Sequence, residues 1–251
     1  MALLDISGLT IRFGGHLAVS EVALSVERGS VSGLIGPNGA GKTTTFNAIS
    51  GVVAPTAGTV CFEGRDVSRL GTHRRARLGI GRTFQRLEIF GSLTARENVL
   101  VGGEIRRSWA RGSAGDQMLA GGKDVGLDAE VDLIMERLGL TGVAAVRAGQ
   151  LPTGQARLVE LGRALAARPK LLLLDEPASG LDENETERFG TLLRELAVAG
   201  LGILLVEHDV ALVMATCTQI SVLDFGQIIA SGSPDVIRRS PAVQSAYLGA
   251  A

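Results

Sequence analysis

The sequence predicts an α/β fold in which short apolar strands alternate with helices around a phosphate-binding loop. Three observations predict it. Residues 36–44 read GPNGAGKTT and fit the pattern G-x-x-x-x-G-K-[ST], with Gly36, Gly41, Lys42 and Thr43 in the fixed places. The apolar run VSGLI at 31–35 precedes them and TTFNAI at 44–49 follows, so the loop joins a strand to a helix, as this pattern requires. Further along, LLLLDE at 171–176 is an apolar strand ending in two acids, a way for an α/β sheet to deliver carboxylates to a ligand crevice.

The elements follow in order. Residues 3–13 and 18–27 read as two strands turned by Gly14-Gly15, and 31–35 is short and apolar throughout, as a buried strand is. The helix at 44–49 gives way to a loop at 51–58 holding Pro55 and Gly58, then to a strand at 59–63. Residues 66–78, rich in arginine, read as a short helix, and 81–85 as a strand ending at Gln85. From about 86 to 150 the character changes to an inserted helical subdomain. It has helices at 94–101 and 128–138 and a flexible Gly-, Ser- and Arg-rich middle at 106–126. The α/β alternation then resumes. Helices are expected at 155–167, 184–199 and 209–216, strands at 171–175 and 203–206, a hairpin at 220–224 and 227–230, and two short helices at 234–239 and 241–248.

Bulk properties narrow the function. A chain of 251 residues, 45% apolar, can bury a full core. The formal net charge of −1 supplies no field to gather nucleic acid, so no nucleic-acid partner is expected. Cys61 and Cys217 are too few for a disulfide framework and lack metal-ligand spacing, which suits a reducing compartment. The start, MALLD, meets an acid too early for a secretory leader, and no apolar run reaches the ~18 residues of a membrane span.

The phosphate loop carries the most specific chemistry. Its glycines let successive backbone N–H groups point into one concavity, and the helix start adds partial positive charge. Gly36, Pro37, Asn38, Gly39, Ala40, Gly41, Lys42, Thr43 and Thr44 are therefore candidate nucleotide-binding residues. Lys42 would set a point charge on the β- and γ-phosphates, and the Thr43 hydroxyl would ligate Mg²⁺. Asp175 is placed to hold that ion and Glu176 to polarise an attacking water, where the bland alternative is a solvated strand end. Other positions stay open on local grounds. Gly154, in LPTGQ at 151–155, offers bare N–H groups at a helix start or simply begins a helix. Gln85 is a metal or water ligand or a solvated strand end, and His208 is a functional or a structural histidine. Phe13, one of few aromatic residues, belongs to the core by default but sits at a strand end beside Gly14-Gly15.

Taken together and in order, these elements resemble the ATP-binding subunit of ABC transporters, over nearly the whole chain from Phe13 to Leu248. The resemblance makes Phe13 an adenine-stacking aromatic, 36–44 the ATP phosphate loop, and Gln85 the Q-loop glutamine and a Mg²⁺ ligand. It makes 151–155 the family signature, with Thr153, Gly154 and Gln155 touching ATP. Asp182 closes the D-loop SGLD at 179–182, and His208 is the switch histidine. The finer likeness is to importers of branched-chain amino acids, carried by GIGRTFQ at 79–85, LEIFGSLTAREN at 87–98 and AYLG at 246–249. The form RTFQ sets the chain apart from the related lipopolysaccharide-export ATPases. One departure stands out: where the family signature reads Leu-Ser-x-Gly-Gln, this chain has Pro152, with neither hydroxyl nor N–H.

The resemblance implies a P-loop NTPase core of ABC ATPase type with an N-terminal antiparallel β subdomain and an inserted α-helical subdomain, all within one domain spanning 1–251. It implies ATP and Mg²⁺ as cofactors, with Glu176, His208, Gln85 and Lys42 catalytic. Integral membrane permease subunits, a second ATP-binding subunit (self or paralogue) and an extracytoplasmic solute-binding protein are the implied partners, at the cytoplasmic face of the membrane. ABC ATPases of nucleic-acid repair or ribosomes typically carry a long coiled coil or two cassettes, and neither is present here. A small-molecule kinase or GTPase would leave 151–155 and His208 without a role.

Overall fold

The computed structural model describes residues 2–110 and 126–248. Strands β1 (Leu4–Phe13) and β2 (His16–Val26) form an antiparallel hairpin, and β3 (Val31–Ile35) runs into helix α1 (Lys42–Ser50). Then come β4 (Ala57–Phe62), β5 (Arg65–Asp66), α2 (Thr72–Leu78), β6 (Ile80–Arg82), α3 (Ala95–Ala110) and α4 (Leu127–Arg137). The rest is α5 (Thr153–Ala166), β7 (Leu171–Asp175), α6 (Glu183–Val198), β8 (Gly202–Val206), α7 (Val210–Thr216), β9 (Gln219–Asp224), β10 (Gln227–Gly232), α8 (Pro234–Arg238) and α9 (Pro241–Leu248).

Two sheets result. The first has the order β2-β1-β4-β5 and is antiparallel; the second has the order β10-β9-β3-β8-β7-β6. In the second, β9, β3, β8, β7 and β6 run parallel, and β10 adds an antiparallel edge. The parallel strands are covered on both faces, which is why β3, β7 and β8 are buried at every residue. Side chains alternate across the sheet. Leu171 and Leu173 enter one core with the first sheet and Phe46 of α1, whereas Leu172 and Leu174 enter the other, with Val99 of α3, Val159 of α5 and Leu193 of α6. All five parallel strands end on the same edge, and this edge carries residues 36, 83, 176, 207 and 225.

Four expectations are corrected. The helix at 94–101 does not stop before Gly102-Gly103 but runs on as α3 to Ala110. These glycines are close-packing sites: a Cβ on Gly102 would stand 2.0 Å from the Arg163 carbonyl oxygen of α5. Of the stretch expected as flexible, 106–126, residues 106–110 belong to α3 and 111–125 lie outside the described residues. The helix at 66–78 begins only at Thr72. Before it, the Asp66 carboxylate accepts the Ser68 N–H at 2.8 Å and turns the chain, after β5 has paired with β4. The strand at 81–85 ends at Arg82, so Gln85 is a loop residue. Thr83 N–H still donates to the Leu173 carbonyl, but Arg157 of α5 donates to the carbonyls of Phe84 and Gln85 and draws the chain off the sheet.

Candidate nucleotide site

The site begins where β3 ends. Gly36 passes so close to β9 that a Cβ there would stand 1.9 Å from the Leu223 carbonyl oxygen, so no other residue fits. Gly41 approaches the Ala18 carbonyl of β2 in the same way, at 2.8 Å. Between them, Pro37, Asn38, Gly39 and Ala40 form the turn, and Asn38 and Gly39 are exposed. Lys42 opens α1, followed by an exposed Thr43 and a half-buried Thr44. The Lys42 ammonium folds back over the loop and donates to the carbonyls of Gly36 (2.7 Å) and Pro37 (3.0 Å). Burial pulls its pKa below the ordinary lysine range, with the nearby charges of Glu176 and Asp175 acting the other way.

Two acids face this ammonium from the end of β7. Burial pushes Asp175 above the ordinary carboxylate range, opposed by Arg82, whose Nη2 donates to Asp175 Oδ2 at 3.1 Å. Glu176 leaves the strand with φ 49°, a left-handed backbone for a residue with a side chain, and its N–H donates to the Val206 carbonyl. Gln85, from the loop after β6, donates its Nε2 to Glu176 Oε2 at 2.8 Å. His208 follows β8 with its side chain 66% exposed, next to the fully buried Glu207. The His208 Nδ1 lies 3.6 Å from Glu207 Oε2, beyond hydrogen-bond reach. Phe13, at the end of β1, is 51% exposed and is not a core residue.

A second group gathers at the start of α5. Pro152 is the N-cap, with no side-chain cap, and Thr153, Gly154 and Gln155 form the first turn. Gly154 is packed so closely that a Cβ would meet the Glu185 carboxylate at 2.7 Å. Glu185 forms a capping box with Asp182, which caps α6 by accepting the Glu185 N–H at 2.8 Å. No hydrogen bond or ion pair among the described residues joins Thr153, Gly154, Gln155 or Asp182 to the Lys42 group.

Four residues that hold the candidate site in place were missed from sequence. Arg82 was visible only as part of a motif, although an arginine closing an apolar strand signals a buried partner. Arg157 and Glu160, three residues apart on α5, hold the chain leading to and from Gln85: Arg157 takes the Phe84 and Gln85 carbonyls and Glu160 accepts the Glu88 N–H. Their i, i+3 spacing marks one helix face, which was legible. Glu207 accepts the Ala178 N–H at 2.8 Å and so fixes the chain just beyond Glu176.

The comparisons with known proteins agree with this geometry. Residues 19–179 match the family model "ABC transporter", and residues 227–251 match "Branched-chain amino acid ATP-binding cassette transporter". The chain is 40% identical to the high-affinity branched-chain amino acid transport ATP-binding protein BraF of Pseudomonas aeruginosa, covering 99% of this chain and 98% of BraF. It is 38% identical to LivG of Escherichia coli K12, a protein with the same descriptive name, at the same coverage. Among solved structures, the ADP conformation of MJ1267, an ATP-binding cassette of an ABC transporter, superposes with a TM-score of 0.83 at 31% identity, covering 99% of both chains. The chain belongs to the ABC transporter family, as one of its ATP-binding, ATP-hydrolysing subunits.

Proposed function

We propose that this chain hydrolyses ATP at a site shared by two ATP-binding subunits and thereby energises import of branched-chain amino acids or related small polar solutes. The convergence of Lys42, Asp175, Glu176 and Gln85 at the ends of β3, β6 and β7 carries this reading. Lys42 exchanges its two carbonyl partners for the β- and γ-phosphates, and the loop from Gly36 to Thr44 wraps them. Phe13, exposed beside the turn, stacks on the adenine. The donor set fits Mg²⁺. Thr43, Asp175 and Gln85 offer hard oxygen atoms, and no cluster of three or more His, Cys, Asp or Glu exists among the described residues to hold a resident ion. When bound with the nucleotide, Mg²⁺ neutralises charge on the phosphate oxygens. Glu176 orients and polarises the water, with Gln85 on its Oε2, and His208 meets the γ-phosphate.

Thr153, Gly154, Gln155 and Asp182 face the ATP of a second ATP-binding subunit, itself or a paralogue, because on their own chain they stand apart from Lys42. Residues 86–150 are read as an inserted helical subdomain of the single domain 1–251. Permease subunits supply the membrane path and an extracytoplasmic solute-binding protein supplies the solute. No helix among the described residues is long and apolar enough to cross a membrane, and we place the chain at the cytoplasmic face. Measuring ATP affinity and phosphate release of Glu176→Gln tests the reading. ATP binding persists while turnover falls by about 100-fold or more. A variant keeping over a tenth of the parent turnover removes Glu176 from the base role.

A further inference from the structure

We propose that Arg82 is a positioning residue that ties the Asp175 carboxylate to the Phe84–Gln85 segment, so that a change at Asp175 reaches the groove beside α3. The proposal rests on the reading of Asp175 as the carboxylate on the Mg²⁺ side. Arg82 ends β6, one strand away from Asp175, and its side chain is 9% exposed. Its guanidinium acts in three directions at once. Nη2 donates to Asp175 Oδ2 at 3.1 Å, Nη1 donates to Asn47 Oδ1 (2.7 Å) and Ser50 Oγ (3.1 Å) of α1, and the guanidinium carbon Cζ lies 5.0 Å from the centre of the Phe84 ring.

A buried ion pair alone would not select arginine. The rigid planar fork does, because a lysine ammonium cannot satisfy the carboxylate, the α1 side chains and the ring together. The same rigidity makes the side chain a link: a carboxylate oxygen drawn toward another cation pulls on Nη2, and the far side of the plane shifts against Phe84. Phe84 is 46% exposed, directly precedes Gln85, and lines a groove of about 300 Å³ with Arg82, Ile105, Trp109 and Arg163.

Trp109 is the single tryptophan of the chain, so its emission reports on that groove. The full chain is loaded with a slowly hydrolysed ATP analogue in EDTA, and Mg²⁺ is then added. In the parent, Mg²⁺ changes Trp109 emission. In Arg82→Lys the analogue still binds as in the parent, because the phosphate loop is untouched, but the emission change falls by about fivefold or more. An undiminished change in Arg82→Lys, or no change in the parent, overturns the proposal. Phe84→Ala cuts the same link at its exposed end and gives the answer if Arg82→Lys does not fold: loss of the emission change supports the link, and retention overturns it. Asp175→Asn separates the two readings. If analogue binding by that variant depends on Mg²⁺ as in the parent, the Asp175 reading falls and the link falls with it. If that dependence is lost while Arg82→Lys keeps its emission change, only the link falls.

Discussion

At the scale of single residues, Glu176 and Phe13 each depart from the ordinary preference of their residue type. Glu176 holds a left-handed backbone conformation worth about 1–2 kcal/mol of strain to a residue with a Cβ. Its N–H anchors on the Val206 carbonyl, so the neighbouring strand over-determines the turn. Phe13 is the second such case, an aromatic ring half in water at a strand end. Phe13→Ala should leave the melting temperature near its parent value and weaken ATP binding by about 1–2 kcal/mol, the scale of base stacking. Isothermal titration checks this, and unchanged affinity would return the ring to a structural role. The residues legible beforehand were those whose meaning is local: Lys42 and Thr43 lie within one short loop, and Asp175 and Glu176 end one apolar run. Arg82 was not legible in the same way, because its carboxylate lies 93 positions away and nothing in the neighbouring sequence names it.

Elements were legible in kind and less so in extent. The strands β3, β7 and β8 could be read from their apolar runs, because burial on both faces leaves no polar alternation to confuse them. Boundaries failed where tertiary contact overruled local habit. Gly102-Gly103 reads as a helix end but is where α3 lets α5 approach, and the strand toward Gln85 is cut short by Arg157. Arg75 shows the same logic at the other end of α1. Its buried guanidinium donates to the carbonyls of Ala48 and Ile49, to Ser68 and to Leu70, so α2 closes the C-terminal end of the phosphate-loop helix. Arg75→Met should strip these carbonyls of their donor and destabilise the fold by about 3–5 kcal/mol, as breaking one side of a buried charged network does. Urea unfolding with and without ATP measures it, and a loss under about 1 kcal/mol, the worth of one ordinary hydrogen bond, would mean that α1 closes without α2.

At the scale of the whole molecule, the proposed half-sites make a second ATP-binding subunit part of the working site. Gly154 lies against the Glu185 carboxylate, and Glu185 in turn is held by Asp182 in the cap of α6. A bulky or charged replacement at Gly154 would strike Glu185 on its own chain, so it cannot probe the interface cleanly. Pro152 can, since it is an exposed N-cap without a side-chain acceptor. Pro152→Ser should stabilise α5 by about 1 kcal/mol through capping. It should also tighten ATP-driven dimerisation in the Glu176→Gln background by about 1.5–3 kcal/mol, the worth of a hydrogen bond to a charged group. Light scattering with and without ATP reads the second effect and thermal melts the first. A melt that rises while dimerisation stays put would show that Thr153 already supplies the hydroxyl. The proposed division into half-sites rests on family resemblance, because no local pattern says that a loop and a signature in one chain serve different ATP molecules.

The seat of Gly36 against β9 also sets a schedule. The bond from Thr218 to the Val31 carbonyl joins β3 to β9 across 187 positions, and the Leu223 carbonyl that shapes the phosphate loop comes later still. A ribosome adding about 5–20 residues per second needs roughly 10–40 s to cover that distance. Throughout that interval the nascent chain already holds every residue of the motif and lacks the wall that gives it shape. The phosphate loop can therefore take this seat only after Leu223 has been made, long after its own recognisable letters.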